Sequence, residues 1–343
     1  MSKHETWELK QMQAVPLEGK IAMTKRRIRE WYDHWDGQVY VSFSGGKDST
    51  VLKHIVDSMY SDVPAVFVNT GLEYPEVQKF AMAQTNVVVL RPAKRFDQVI
   101  VEYGYPVISK AVAKDVQYAR SGGEDTCHYK SLFGLRQYNG EKSRYCNDRW
   151  SFLYDAPFKV SARCCDIMKK KPVHKYEKET GRRPILATMA DESELRLLSW
   201  TQHGCNAFET NRPRSAPMSF WTEQDVLHYL KKYNVPYASI YGDIVVKKPH
   251  DVPKGQMTIA DILGIEEYDH LETTGCDRTG CIFCMFGCHL EEQPNRFQRL
   301  KETHPRQYDY CINGGEWVDG KWQPNKEGLG LGYVLDYIGV DYM

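Results

Sequence analysis

The chain has 343 residues, and its 45 lysines and arginines balance 45 aspartates and glutamates, giving a formal net charge of zero. At ~150 residues per domain this length predicts about two domains. The neutrality argues against a strongly basic nucleic-acid coat, and 42% apolar with 26% charged residues argues against a mainly disordered chain. No apolar run approaches the ~18 to 20 residues of a membrane helix. Met1–Lys20 mixes Glu and Lys and has no apolar signal core, so a cytoplasmic protein with no membrane partner is expected.

In chain order, residues 1–36 read as helix, with a basic run from Lys20 to Arg29 that suits either a solvated face or backbone-phosphate contacts. Val39–Phe43 is a β-branched and aromatic run and predicts a buried strand. Val51, Leu52, Ile55, Val56 and Met59 then recur at helical spacing. A strand at Ala65–Val68, a helix of about ten residues after Pro75 and a strand at Val87–Leu90 follow. Strand, helix, strand, helix, strand with short links describes a parallel sheet with crossover helices. Further on, helices are predicted near 108–120 and 129–138, a strand at Pro184–Thr188, and helices from Asp191 to Trp200 and from Trp221 to Tyr233. Thr222 and Asp225 resemble a capping box for the last of these. Residues 245–290 read as loop, Pro294–Arg306 as helix, and Gly328–Ile338 as a terminal helix. The expected organisation is an N-terminal helical segment (1–36), a nucleotide-binding α/β domain (37–245) and a cysteine-rich C-terminal region (246–343).

Between the first strand and its helix lies Ser44-Gly45-Gly46-Lys47-Asp48-Ser49. Two glycines let successive N–H groups converge on an anion, and the helix N-terminus adds its dipole and unpaired donors. Ser44 and Ser49 offer hydroxyls, Lys47 a positive charge, and Asp48 a ligand for Mg²⁺ or an anchor for the loop. The Walker spacing is absent.

This hexapeptide resembles the PP-loop of the N-type ATP pyrophosphatases, and the chain is most similar to the phosphoadenosine phosphosulfate (PAPS) reductase family within them. Asn69-Thr70-Gly71-Leu72-Glu73-Tyr74-Pro75-Glu76 resembles that family's Asp-Thr-Gly-x-x-x-Pro-Glu segment. Cys164-Cys165 with Met168–Pro172 resembles its Cys-Cys segment, and Pro217–Trp221 with Asp225-Val226 resembles its late Pro, Trp and Asp-Val stretch. The resemblance implies a Rossmann-like α/β fold and a site that takes ATP or PAPS with Mg²⁺. It also implies nucleotide contacts from Thr70, Gly71, Glu73, Glu192, Ser193 and Arg196. Glu192, Ser193 and Arg196 fit the family's Gly-x-Arg-x-x-Glu-Ser-x-x-Arg pattern, but Ala187 and Met189 replace its Gly and Arg. The chain ends Gly339–Met343 without the Glu-Cys-Gly-x-His tail of sulfonucleotide reductases, and its last cysteine, Cys311, stands in other surroundings, so direct PAPS reduction is not expected.

Ten cysteines are few for a disulfide scaffold of this size, and they are clustered. Cys276, Cys281, Cys284 and Cys288 have the spacing C-x4-C-x2-C-x3-C, and Cys164 and Cys165 are adjacent. Four thiolates suit a [4Fe–4S] cluster or zinc. The late four are the first choice, because neighbouring ligands need no long-range folding; they also resemble the late cysteine cluster of DNA phosphorothioation enzymes. The alternative set, Cys164, Cys165, Cys281 and Cys284, is the one implied by resemblance to adenylyl sulfate reductases. With the late four as ligands, Cys165 is left as a candidate catalytic thiol, and Lys47 and Asp48 are the other catalytic candidates. From Arg163 to Arg183, eight basic residues against three acidic ones suit either a phosphate-docking surface or a solvated helix. The functional expectation is ATP-dependent adenylation and sulfur transfer to an acceptor such as a nucleic acid, with a sulfur-donor protein and an Fe–S cluster. A sulfonucleotide reductase and a non-catalytic nucleotide-binding regulator are the alternatives.

Overall fold

The computed structural model describes residues 4–247 and 270–343. Residues 248–269 of the loop expected at 245–290 therefore lie outside the described residues. The chain forms two compact units: Met1–Val68 with Tyr74–Leu90 and Lys175–Thr279, and Asn69–Glu73 with Arg91–His174 and Gly280–Met343.

In the first unit, helices α1 (Thr6–Gln13) and α2 (Leu17–His34) precede strand β1 (Val39–Phe43), helix α3 (Lys47–Asp57), strand β2 (Ala65–Val68), helix α4 (Pro75–Ala83) and strand β3 (Val87–Leu90). The N-terminal helical segment is thus two helices, parted where Pro16 begins the second. The sheet runs β3–β2–β1, then Arg183–Ile185, Arg214–Ser215 and Asn206–Ala207. Every neighbouring pair is parallel except the last. The chain leaves β1 for β2 and β3 on one side and returns to the other side with Arg183–Ile185. The carboxyl end of β1 is therefore a topological switch point, where open α/β sheets bind ligands.

The core explains the strands: Val39, Val41, Leu52, Ile55, Phe67 and Trp221 are all buried. α2 presents Lys20, Ile21, Thr24, Ile28 and Trp31 on one buried face. Two of these are polar, and both are paired. Lys20 Nζ lies 2.7 Å from Asp225 Oδ2, and the Thr24 hydroxyl accepts the Trp221 indole N–H at 2.8 Å. The helix Glu223–Lys232 starts at the predicted box: Thr222 accepts from the Asp225 N–H, and the Asp225 carboxylate accepts from the Thr222 N–H.

The second unit is built from short helices, among them Phe96–Tyr103, Lys110–Gly122, Cys127–Leu132, Arg296–Thr303, Pro305–Ile312 and Leu331–Tyr337. The helix expected at 129–138 ends at Leu132, and a hairpin pairing Gln137–Tyr138 with Glu141–Lys142 follows. Gly134 between them has φ +72°, which ends helical geometry. The helix expected over Pro294–Arg306 is divided at His304 into two. The organising segment is Gly104–Ile108. On one side the Tyr105 N–H donates to Lys159 O and the Ser161 N–H to Tyr105 O. On the other, Val107–Ile108 pairs in parallel with Met285–Phe286. Gly104 has φ +118°, and a Cβ there would lie 2.4 Å from the Lys159 carbonyl carbon, so only glycine permits this approach. Among the described residues no helix is long and apolar enough to cross a membrane.

Candidate nucleotide site and cysteine cavity

α3 begins at Lys47, directly inside the glycine loop, so the helix N-terminus faces whatever the loop holds. Gly45 has φ +75°, and a Cβ there would meet Val77 Cγ1 at 2.9 Å and Val77 O at 3.1 Å. The two serines brace the turn: the Ser44 N–H donates to Ser49 Oγ at 3.2 Å, and the Ser49 hydroxyl donates to Gly46 O at 3.0 Å. Thr50 donates to the same carbonyl at 2.9 Å. Ser49 thus supports the loop, whereas the exposed Ser44 borders a cavity of about 180 Å³ together with Gly46, Lys47 and Asp48.

The far side of this cavity comes from three later segments. Lys47 is buried, with Nζ 3.2 Å from Glu223 Oε1 and 5.1 Å over the Tyr241 ring. The Tyr241 hydroxyl shares a 2.6 Å hydrogen bond with Thr279. Burial pushes the Tyr241 phenol up to about 12. Glu192 accepts the Met189 N–H at 2.9 Å and pairs with both Arg196 and Arg278. Ser193 caps the following helix by accepting the Arg196 N–H. Asp48 has its carboxyl raised, chiefly because burial disfavours the charge, while Lys47, Arg278 and Arg196 pull it the other way. Met189, standing where the family pattern carries arginine, lines the cavity as an apolar group.

Thr70, Gly71 and Glu73 belong to the second unit. The Glu73 carboxylate accepts the Thr70 N–H at 3.0 Å and the Thr70 hydroxyl at 2.7 Å, closing a tight turn around Gly71 at φ +74°. Lys169 Nζ approaches Glu73 at 4.0 Å. Nearby, Cys164, Cys165, Cys281 and Cys284 line one small apolar cavity with Leu72, Phe96 and Met168. The pairing around Gly104–Ile108 brings the two halves of this set together, and the Ile282 N–H, donating to Leu72 O at 2.8 Å, seats the C-x2-C turn. The Cys164 thiol donates to Cys165 Sγ across 3.9 Å. That bond, with the charges of Lys110 and Lys169, lowers the Cys165 thiol, while burial raises Cys281 and Cys284. Cys288 lies outside this cavity, its thiol directed at Met285 O at 3.0 Å, and Cys276 belongs to the first unit. No cysteine is in a disulfide.

Four thiols around one cavity, with Lys169 beside them, are a donor set of the kind that could hold an Fe–S cluster or zinc. Among the described residues no three Cys, His, Asp or Glu side chains are already placed to hold a metal ion. Sequence reasoning missed Glu223, Tyr241, Asp277, Arg278 and Thr279, all of which line the phosphate-loop cavity. Asp277, Arg278 and Thr279 were hidden as spacers inside a cysteine motif. Glu223 and Tyr241 carry no local signal.

The chain is 24% identical over 281 residues to sulfate adenylyltransferase subunit 2 of Agrobacterium fabrum, covering 74% of this chain and 75% of that protein. It is 18% identical over 245 residues to adenosine 5'-phosphosulfate reductase of Anoxybacillus flavithermus, covering 70% of this chain and 83% of that one. Among solved structures, the PAPS reductase of Candida auris in its phosphate complex matches 69% of this chain and 91% of that chain at 13% identity, with a TM-score of 0.35, a likeness too weak to bear on function. The profile of the phosphoadenosine phosphosulfate reductase domain matches residues 38–118 and 135–286. With well over half its length matched, and with the glycine loop at the switch point of a parallel sheet, the chain belongs to the phosphoadenosine phosphosulfate reductase domain family.

Proposed function

We propose that the protein is a cytoplasmic enzyme that binds an adenine nucleotide through the Ser44–Ser49 loop and uses ATP to adenylate an acceptor before sulfur is transferred to it. The observation that carries this reading is the loop cavity itself: Lys47, buried at the mouth of a helix, faces a space bordered by loop atoms and by the Arg278 side chain. Asp48, Glu192, Glu223 and Asp277 border the same space. Mixed signs suit a polyphosphate arriving with Mg²⁺, which binds through one or two carboxylates and the phosphates themselves. An acceptor oxygen attacks the α-phosphorus, the bond to the β-phosphate oxygen breaks, and pyrophosphate leaves. The protein supplies positioning and charge stabilisation. Cys164, Cys165, Cys281 and Cys284 are the ligands we assign to a [4Fe–4S] cluster, which when bound supplies a site for holding or passing sulfur. A nucleic acid is the acceptor class we favour, served by a separate sulfur-donor protein.

One observation supports a second reading, a sulfonucleotide reductase: similarity to an adenosine 5'-phosphosulfate reductase over 70% of this chain. Anaerobic calorimetry with ATP–Mg²⁺, PAPS and adenylyl sulfate separates the two. Tighter ATP binding, at ~1.4 kcal/mol per tenfold, is expected. A clear preference for either sulfonucleotide overturns adenylation in favour of the reductase.

A further inference from the structure

The turn Gly275–Thr279 looks in the sequence like packing between cysteines, yet it is anchored to the wall of the phosphate-loop cavity. The Gly275 N–H donates to Tyr241 O at 2.9 Å and the Cys276 N–H to Ile240 O at 3.0 Å. Thr279 meets the Tyr241 hydroxyl at 2.6 Å. A Cβ on Gly275 would lie 2.3 Å from Ile240 O, so the approach is open only to glycine. Tyr241, buried and under the Lys47 ammonium, therefore fixes the turn and the loop lysine together.

We infer that Arg278, carried on this anchored turn, binds the oxyanion chain of the nucleotide and helps to set which nucleotide the site accepts. Three observations carry the inference. Arg278 borders the same cavity as Ser44, Gly46 and Lys47. Its side chain is 64% exposed, and among the described residues its one ion pair runs from Nη2 to Glu192 Oε1 at 3.4 Å. A guanidinium has five N–H donors in a planar fork, so this pair orients Arg278 while leaving donors for a ligand. Such a fork matches phosphate bidentately, where an ammonium acts as a point charge. Lys47 neutralises charge from the loop side, and Arg278 adds directional bonds. Glu192 acts through Arg278 and is a positioning residue. The inference rests on the proposed nucleotide reading and names a residue of that site.

The test is calorimetric titration of the full-length wild type, Arg278→Ala, Arg278→Lys and Lys47→Ala with ATP–Mg²⁺, PAPS and inorganic pyrophosphate, with a thermal melt of each. The expected result is at least a tenfold weaker affinity of Arg278→Ala for ATP–Mg²⁺ and pyrophosphate, with an unchanged melting temperature. Arg278→Lys should recover only part of the loss, because it restores charge without the fork. A loss confined to ATP and pyrophosphate assigns Arg278 to the phosphates beyond the first and to the choice of nucleotide; an equal loss for PAPS leaves it an anion contact and overturns its part in that choice. If wild type binds and Lys47→Ala does not, while Arg278→Ala binds within twofold of wild type, Arg278 is a solvated arginine and the inference alone falls. If wild type binds none of the three, the nucleotide reading falls with it.

Discussion

Asp48 shows how one residue trades stability for a site. Its carboxyl is raised in the folded state, mainly by burial. The folded chain therefore holds the proton more tightly than the unfolded one. Below the unfolded value near 3.8 the two states are equally protonated. As pH rises from there through the raised folded value, the unfolded state gains the advantage of ionising first, and folding loses stability. Asp48→Asn removes that cost. Its melting temperature should exceed wild type at pH 7, and the gap should close as pH falls toward 4. A variant less stable than wild type at pH 7 would mean that Asp48 is held by its cations more strongly than it is penalised by burial. Gly45 makes the opposite point. Alanine there meets an unfavourable φ worth about 1–2 kcal/mol as well as the Val77 side chain. Gly45→Ala should lower the melting temperature by at least ~2 °C and weaken nucleotide binding. The sequence displayed the loop residues, because a Ser-Gly-Gly-Lys-Asp-Ser run between strand and helix is a local pattern. It hid Tyr241, Glu223 and Arg278, because their roles come from which segments the fold brings to the loop.

Elements were legible where their signal was local and repeated. β1, β2 and β3 fall at the predicted residues, since each is a short apolar run between turn residues; β1 and β2 are largely buried, while β3, at the sheet edge, is only half-buried. The capping box placed the helix at Glu223–Lys232 to within two residues. The helix Phe96–Tyr103 went unread, although Phe96, Val99 and Ile100 are buried on one face. The hairpin at 137–142 replaced the end of a predicted helix: Gly134, and Asn139 with Gly140 at φ +52° and +80°, favour a turn. Lys20 and Asp225 join α2 to the helix Glu223–Lys232 through one buried ion pair. Asp225→Ala leaves the Lys20 ammonium, 4% exposed, without its carboxylate, and also removes half of the helix cap. A loss on the order of 3 kcal/mol or more is expected in urea unfolding. A loss under ~1 kcal/mol would show that Lys20 finds water or another acceptor.

At the scale of the molecule, the cysteines show what long-range folding adds. Spacing along the chain favoured Cys276, Cys281, Cys284 and Cys288, since proximity in sequence is the only proximity a sequence displays. The structure gathers Cys281 and Cys284 with Cys164 and Cys165 instead, through backbone pairing on both sides of Gly104–Ile108. Anaerobic iron and acid-labile sulfide assays should therefore find cluster content lost in Cys165→Ser and Cys281→Ser and kept in Cys276→Ser and Cys288→Ser; the reverse pattern would restore the consecutive set. The central claim, however, is that the Ser44–Ser49 loop binds nucleotide phosphates, and titrating wild type and Lys47→Ala with ATP–Mg²⁺ tests it most directly. A charge-assisted contact worth about 1.5–3 kcal/mol predicts saturable binding by wild type and affinity at least tenfold weaker in the variant. Equal affinity in the two proteins would contradict the account.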